Sequence, residues 1–359
     1  MNINKFNGGY KMLRLMNSGI SGMQANQTAL DVIGNNIANQ ETVAFKGSRA
    51  RFQDMLSQSQ ADGTSPTVSA GGTNPSQIGL GVKLAGIDTI TTQGIMQPTN
   101  SNLDVAIDGD GYFLVSKGNT IFNNGTVTGG ITANNAANGD HTINQATLTA
   151  SGSQISYTRD GAFTLDEQGN LLTSDGYRVM GYSMTNAAGA DSIATSGDIN
   201  YVDGTATLTA NDTSLKTLRI PATVTDTTTT PTNTFRVTSF SIGRDGVIIG
   251  TLEDGRTTAI GQIAMASFKN PAGLSKQGKN LYSSSVNSGD ATLRSGAGNT
   301  ANDNSGGYGD ALQNMLEMSN VDLAQQFTDM IVASRAFQAN GKAITTGDDI
   351  LQDIINLKR

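Results

Sequence analysis

Cysteine and tryptophan are absent from the 359 residues, and histidine occurs once, as His141. Without cysteine there is no disulfide, no thiolate nucleophile and no cysteine-ligated metal site. Aromatic residues make up only 5% of the chain and hydrophobic ones 36%, against 43 glycines. That is lean for one large core and suits several thin β domains with many turns, in a chain long enough for two or three domains. Basic residues are in the minority, 23 against 30 acidic, for a net charge of −7. Nucleic acid or an anionic membrane would need a basic patch, so neither is expected as a partner. No apolar run approaches the roughly 18 residues of a membrane span, and no charged-then-apolar leader marks a cleaved secretory signal. Catalysis needs a poised acid, base or nucleophile. His141 sits in a polar loop and the aspartates recur in Asp-Gly turns, so no enzymatic activity, cofactor or metal is expected. The Asp108/Asp110 pair lacks the spaced third ligand and later Glu of a calcium loop.

What the chain does have is periodicity at its two ends. From Leu316 an apolar residue recurs every seventh position: Leu316, Leu323, Met330, Phe337, Ile344 and Leu351. This spacing predicts one stripe along a helix of about 45 residues. A companion column four residues on is mixed and includes Phe327 and Ile355. At the other end Leu13, Met16, Ile20, Met23, Gln27, Leu30, Gly34 and Ile37 fall at the alternating three- and four-residue steps of a second seam, six of the eight apolar. Neither seam can bury itself alone, so the expectation is a pairing of the chain ends, with the middle of the chain as a separate body. Two ordinary amphipathic helices packed on one globular core would show the same periodicity.

The Asn-rich exit of the first helix brings in a recognisable pattern. Ser18-Gly19-Ile20-Ser21-Gly22-Met23, Leu30 through Asn39 with Asn35, Asn36 and Asn39, and Ala44-Phe45-Lys46 resemble the N-terminal signature of the bacterial flagellar rod and hook proteins. Ser319-Asn320-Val321-Asp322-Leu323, Met330-Ile331, Arg335 through Asn340 and the final Ile354 to Arg359 resemble the C-terminal signature of the same family. Gly72 through Val82, Tyr157 through Asp166 and Gly169 through Leu172 resemble family members in the middle of the chain.

The expected fold class is α+β and multidomain: coiled-coil-like N- and C-terminal helices plus mainly antiparallel β domains. Residues 1–11 match nothing that follows and read as a non-native or disordered extension, with Met12 as the native start. Residues 12–40 with 310–359 form the terminal helical domain. Residues 41–81 form a connecting segment, a short helix or extended arm followed by a Ser/Gln/Gly linker. Residues 82–184 with 235–309 form an inner β domain, punctuated by Asp-Gly hairpin turns and carrying a surface insertion at 117–153. Residues 185–234 form a small outer β domain.

The resemblance implies a structural subunit of the flagellar hook, a bendable tubular joint that carries torque from rod to filament. The distal rod protein is the alternative within the family. A secreted β-rich adhesin is the rival outside it, and would not need helical seams at both ends. By resemblance the partners are further copies of the chain, the distal rod protein, the hook cap, the hook–filament junction proteins and the flagellar type III export apparatus. The implied location is extracellular, in the flagellum, after export without a cleaved signal.

Overall fold

The computed structural model describes residues 6–67, 71–117, 134–135, 141–143, 154–185, 191–193, 198–211, 215–226, 233–293 and 309–356, with backbone alone for 6–13, 134–135, 141–143 and 354. Two terminal α-helices and many short strands make up the chain, and every strand ladder among the described residues is antiparallel. The residues fall into two compact units. One holds 1–41, 46–90 and 321–359, the other 42–45 and 91–320.

In the first unit, helix α1 spans Phe6–Ala38 and helix α2 spans Leu323–Asn356. Helix α1 therefore begins inside the stretch expected to be an extension. Both helices include weak helix formers, among them Ser and Thr, whose hydroxyls find partners within the helix. Those of Ser21, Thr28, Thr328 and Ser334 turn back onto carbonyls three or four residues earlier.

Helix α2 starts seven residues later than the heptads suggest, and Leu316 is not in it. Leu316 lies in the strand Met315–Glu317, paired with Met96–Pro98, and residues 310–313 form a further strand against Val105–Asp108. Two local features set this limit. Asn314 takes a left-handed conformation at φ 61°, and the Asp322 carboxylate caps the helix by accepting the main-chain N–H groups of Ala324 (2.9 Å) and Gln325 (3.3 Å).

The first part of the connecting segment is extended, one of the two forms expected of it, and the described Ser/Gln/Gly part that follows contributes strand rather than linker. Strands β1 (Ser48–Asp54), β2 (Ser57–Ala61), β3 (Ser76–Gly79) and β4 (Val82–Thr89) pair as β1 with β4 and β2 with β3. Together they make one antiparallel ribbon closed near its tip by the Thr64–Thr73 bridge. The ribbon runs back along α1. Asn36 meets Ser48, Ser21 Oγ accepts the Val82 N–H at 3.3 Å, and Arg14 donates to Gln58 at 2.9 Å. From Asn36 to Arg14 an α-helix travels about 33 Å, and from Ser48 to Gln58 a strand travels the same. The two paths stay in step because these lengths match.

The second unit holds the β body. Phe113, Val115, Leu171, Val179, Ile248 and Met265 belong to one buried cluster, and Leu114, Tyr157, Tyr182 and Leu293 to another. A smaller cluster joins Ile193, Ile199, Val224 and Leu252. The Asp-Gly turns work as the sequence suggests at Gly109, Gly176, Gly246 and Gly255, all at positive φ. Gly161 differs: φ is not positive there, and a side chain would run into the Val105 carbonyl. Most of the 117–153 insertion lies outside the described residues. Within it, the strand His141–Ile143 pairs with Ala291–Leu293.

Candidate assembly surfaces

Helices α1 and α2 lie antiparallel. Gly347 sits by Met16, Gly19 by Ile344, Gly22 by Asn340 and Met23 by Gly341, and the Asn36 amide donates to Gln326 Oε1 at 3.1 Å. The register sums stay near 362 throughout, so one straight antiparallel alignment explains every contact. The column of α2 that faces α1 is Gln326, Ala333, Asn340 and Gly347. It lies three residues after the apolar heptad column rather than four, and Ala333 and Gly347 are buried in it. On α1 the buried positions are Gly19, Gly22, Ala25 and Asn36. The contact is thus made of small and polar residues. A Cβ at Gly19 would stand 3.0 Å from Ile344, and one at Gly22 would stand 2.7 Å from the Asn340 amide.

The large apolar residues of the expected seams divide. Met16 and Met23 on α1 take part in the pairing, and so does Ile344 on α2. Leu30, Ile37, Leu323, Met330 and Leu351 are half-buried. Ile20, Phe337 and Ile355 are exposed, and Phe327 is 50% exposed, joined by Ile331 at 61% and Val332 at 63%. The side chain of Leu13 lies outside the described residues. The exposed apolar area of α2 therefore lies mainly on Phe327, Ile331 and Val332, while the heptad column legible in the sequence is half-buried within α2 apart from Phe337. Sequence reasoning missed the inner column because its members are not apolar. Its signal was heptad-spaced small residues, Gly22 and Ala29 on one helix and Ala333 and Gly347 on the other.

The signature residues have local structural work. Asn36, 2% exposed, exchanges two hydrogen bonds with the Ser48 main chain (2.7 and 3.0 Å) while also reaching Gln326. It thereby ties the end of α1, the root of the ribbon and the start of α2 together. The Asn39 amide folds back onto Asn35, donating to its carbonyl and side-chain oxygens. Lys46 is fully buried. In the second unit Phe45 lies under the Lys276 ammonium, 5.1 Å from the ring centre, and Asn320 donates to Thr92. Asp322 is the cap of α2. The Asp108-Gly-Asp-Gly loop presents its carbonyls inward to the Arg159 guanidinium, with Gly111 O at 2.7 Å and Gly109 O at 2.5 Å.

The described residues thus combine a pair of helices from opposite chain ends, an outward apolar patch on α2 and an antiparallel β body. Three family models match the chain: "Flagella basal body rod protein" over residues 16–46, "Flagellar hook protein FlgE/F/G D1 domain" over 146–250 and "Flagellar basal body rod FlgEFG protein C-terminal" over 312–357. The flagellar basal-body rod protein FlgG of Bacillus subtilis is 42% identical over 97% of this chain and 100% of its own length. The flagellar hook protein FlgE of Borreliella burgdorferi is 31% identical over 97% of this chain and 100% of its own. A solved structure of the Helicobacter pylori flagellar hook protein FlgE2 is similar over 62% of this chain and 100% of that one, at 10% identity and a TM-score of 0.37. The chain belongs to the flagellar hook and basal-body rod family, whose members are structural components of the flagellum.

Proposed function

We propose that this chain is the hook subunit, polymerising through its terminal helices into the bendable tube that joins rod to filament. The observation that carries this reading is the outward stripe of Phe327, Ile331 and Val332 on a helix whose inner face is already occupied by α1. Full burial of such side chains is worth about 1.5–3 kcal/mol each, so the stripe favours association of neighbouring copies. In the polymer the paired helices wind as a coiled coil. Within the proposed outer module at 185–234, Ile193, Ile199 and Val224 share a small cluster with Leu252 of the neighbouring hairpin. The subunit leaves the cell through the flagellar type III export apparatus without a cleaved signal. Assembled outside the cell, it meets the distal rod protein at one end of the tube and the hook cap and junction proteins at the other.

The distal rod protein is the second reading. The Bacillus FlgG alignment favours it, covering both chains almost end to end over 348 residues, whereas the Borreliella hook alignment extends over 482. Electron microscopy of polymers grown from purified protein separates the two. Curved tubes are expected of a hook subunit and straight ones of a rod subunit. A protein that stays monomeric at high concentration would contradict both.

A further inference from the structure

The chain enters or leaves the β body through three stretches: 42–45, the segment beginning at Thr91, and the segment ending at Asn320. All three meet at Glu317, whose side chain is wholly buried. Its Oε1 accepts the Gly94 N–H at 2.8 Å, and its main-chain carbonyl accepts the Ala44 N–H at 2.8 Å. Its strand pairs it with Met96. Its Oε2 accepts from Arg159 Nη1 at 3.1 Å, and that guanidinium, 4% exposed, is itself held by the Gly109 and Gly111 carbonyls and lies 5.5 Å over the Tyr112 ring. One residue thus joins the passes at this end of the unit, its carboxylate linking Gly94 to Arg159 and the middle of the sheet, and its main-chain carbonyl holding Ala44. The packing around it is close. A side chain at Gly94 would collide with the Met318 carbonyl, and Ala44 is held at φ 57°, a conformation an alanine adopts only under constraint. Asn320 adds flanking bonds to Phe45 O (3.3 Å) and Thr92 O (3.0 Å).

We propose that Glu317, clamped by Arg159, is a positioning residue that locks the root of the β body, so that load arriving through any of the three chain passes is carried by the whole sheet. The fold alone does not require a charge here. An apolar pair of similar volume is often as stable as a buried ion pair, or more so. What an apolar pair cannot do is hold the Gly94 N–H.

The proposal concerns the free subunit as well as the tube, and only the mechanical part rests on the hook reading. Two variants of the full chain test it, Glu317→Gln and the double variant Arg159→Met with Glu317→Leu. The first keeps an acceptor for Gly94 but loses the charge pairing. The second replaces the pair with apolar groups. Hydrogen exchange of the monomer is read at 42–45, 91–99 and 315–320, with Tyr112–Lys117 and Gln154–Thr158 as reference strands. In the double variant, exchange at the root is expected to rise by about tenfold or more while the reference strands and the melting temperature stay near those of the parent. In Glu317→Gln a smaller rise confined to the same peptides is expected. Unchanged exchange at the root overturns the proposal. So does a rise shared equally by the reference strands, or failure of both variants to fold, since either makes Glu317 a plain stability residue. In tubes assembled from the double variant a shorter persistence length is expected, and an unchanged one overturns the mechanical part. If the parent chain forms no tubes, the hook reading fails while the exchange measurement stands on its own.

Discussion

Burial holds the Asp160 carboxyl above the usual carboxylate range, opposed by the Ala162 N–H that it accepts and reinforced by the nearby charges of Asp175 and Asp104. A carboxyl whose folded-state pKa is raised contributes its stability below the unfolded value, about 3.9, and loses it as pH rises through the folded value. Asp160→Asn keeps an oxygen for the Ala162 N–H and removes the charge. The variant is expected to melt higher than the parent at pH 7, with the difference vanishing below about pH 3.9, in melts run from pH 3 to 8. The cap of α2 offers a second substitution. Asp322→Ala leaves the Ala324 and Gln325 N–H groups without their acceptor and is expected to cost about 1 kcal/mol, read as lost helical signal before the β body melts. Neither role was legible from residue type alone. Asp160 sits in an Asp-Gly dipeptide like seven others in the chain, yet its glycine is there for close approach to Val105 rather than for a left-handed turn.

The helix pair separates two surfaces that a heptad repeat cannot tell apart. A seven-residue period fixes one column, but its companion can lie three or four residues on, and the sequence favoured the column with Phe327 and Ile355 because it carries more carbon. Packing selected the other, Gln326 through Gly347, because small side chains let the helices approach and Asn36 and Gln326 can bond across the gap. Two opposite outcomes follow. Gly22→Leu drives a branched side chain into Asn340 and is expected to weaken the pairing, seen as lower helical content in the isolated chain. Phe327→Asp and Ile331→Asp fall on exposed positions. They are expected to leave monomer stability within about 0.5 kcal/mol while preventing sedimentation of polymer. Normal polymer from either charge variant would show that the stripe faces solvent in the tube. The ribbon was hidden for a different reason. Ser57–Ala61 and Ser76–Gly79 are exposed and carry one large apolar side chain between them, Ile78, so no alternation marks them as strands, and only their pairing with each other does.

Across the whole chain, association should change which peptide bonds a protease can reach. Arg335 and Lys342 lie exposed on α2, whereas Lys46 is buried. Brief trypsin treatment of the monomer is expected to cut after Arg335 and Lys342 and to spare Lys46. Tubes are expected to resist at all three. Equal cutting of monomer and tube would mean that α2 is not covered on assembly.

By itself, the sequence determined the class of the chain: helices at both ends, antiparallel β structure between them, and the signature residues that place it among flagellar hook and rod proteins. Composition, turn chemistry and heptad spacing are local properties, and they survive without any knowledge of which segments meet. Tertiary structure decided which heptad column faces inward, where α2 begins, and what Glu317 does. Glu317 falls in the stretch that the heptads assign to the last helix, next to the stripe residue Leu316. Its true partners are Arg159, 158 residues earlier, and Gly94, 223 residues earlier. A carboxylate is tolerable in a buried strand only because those groups meet it there, and only the folded chain brings them together.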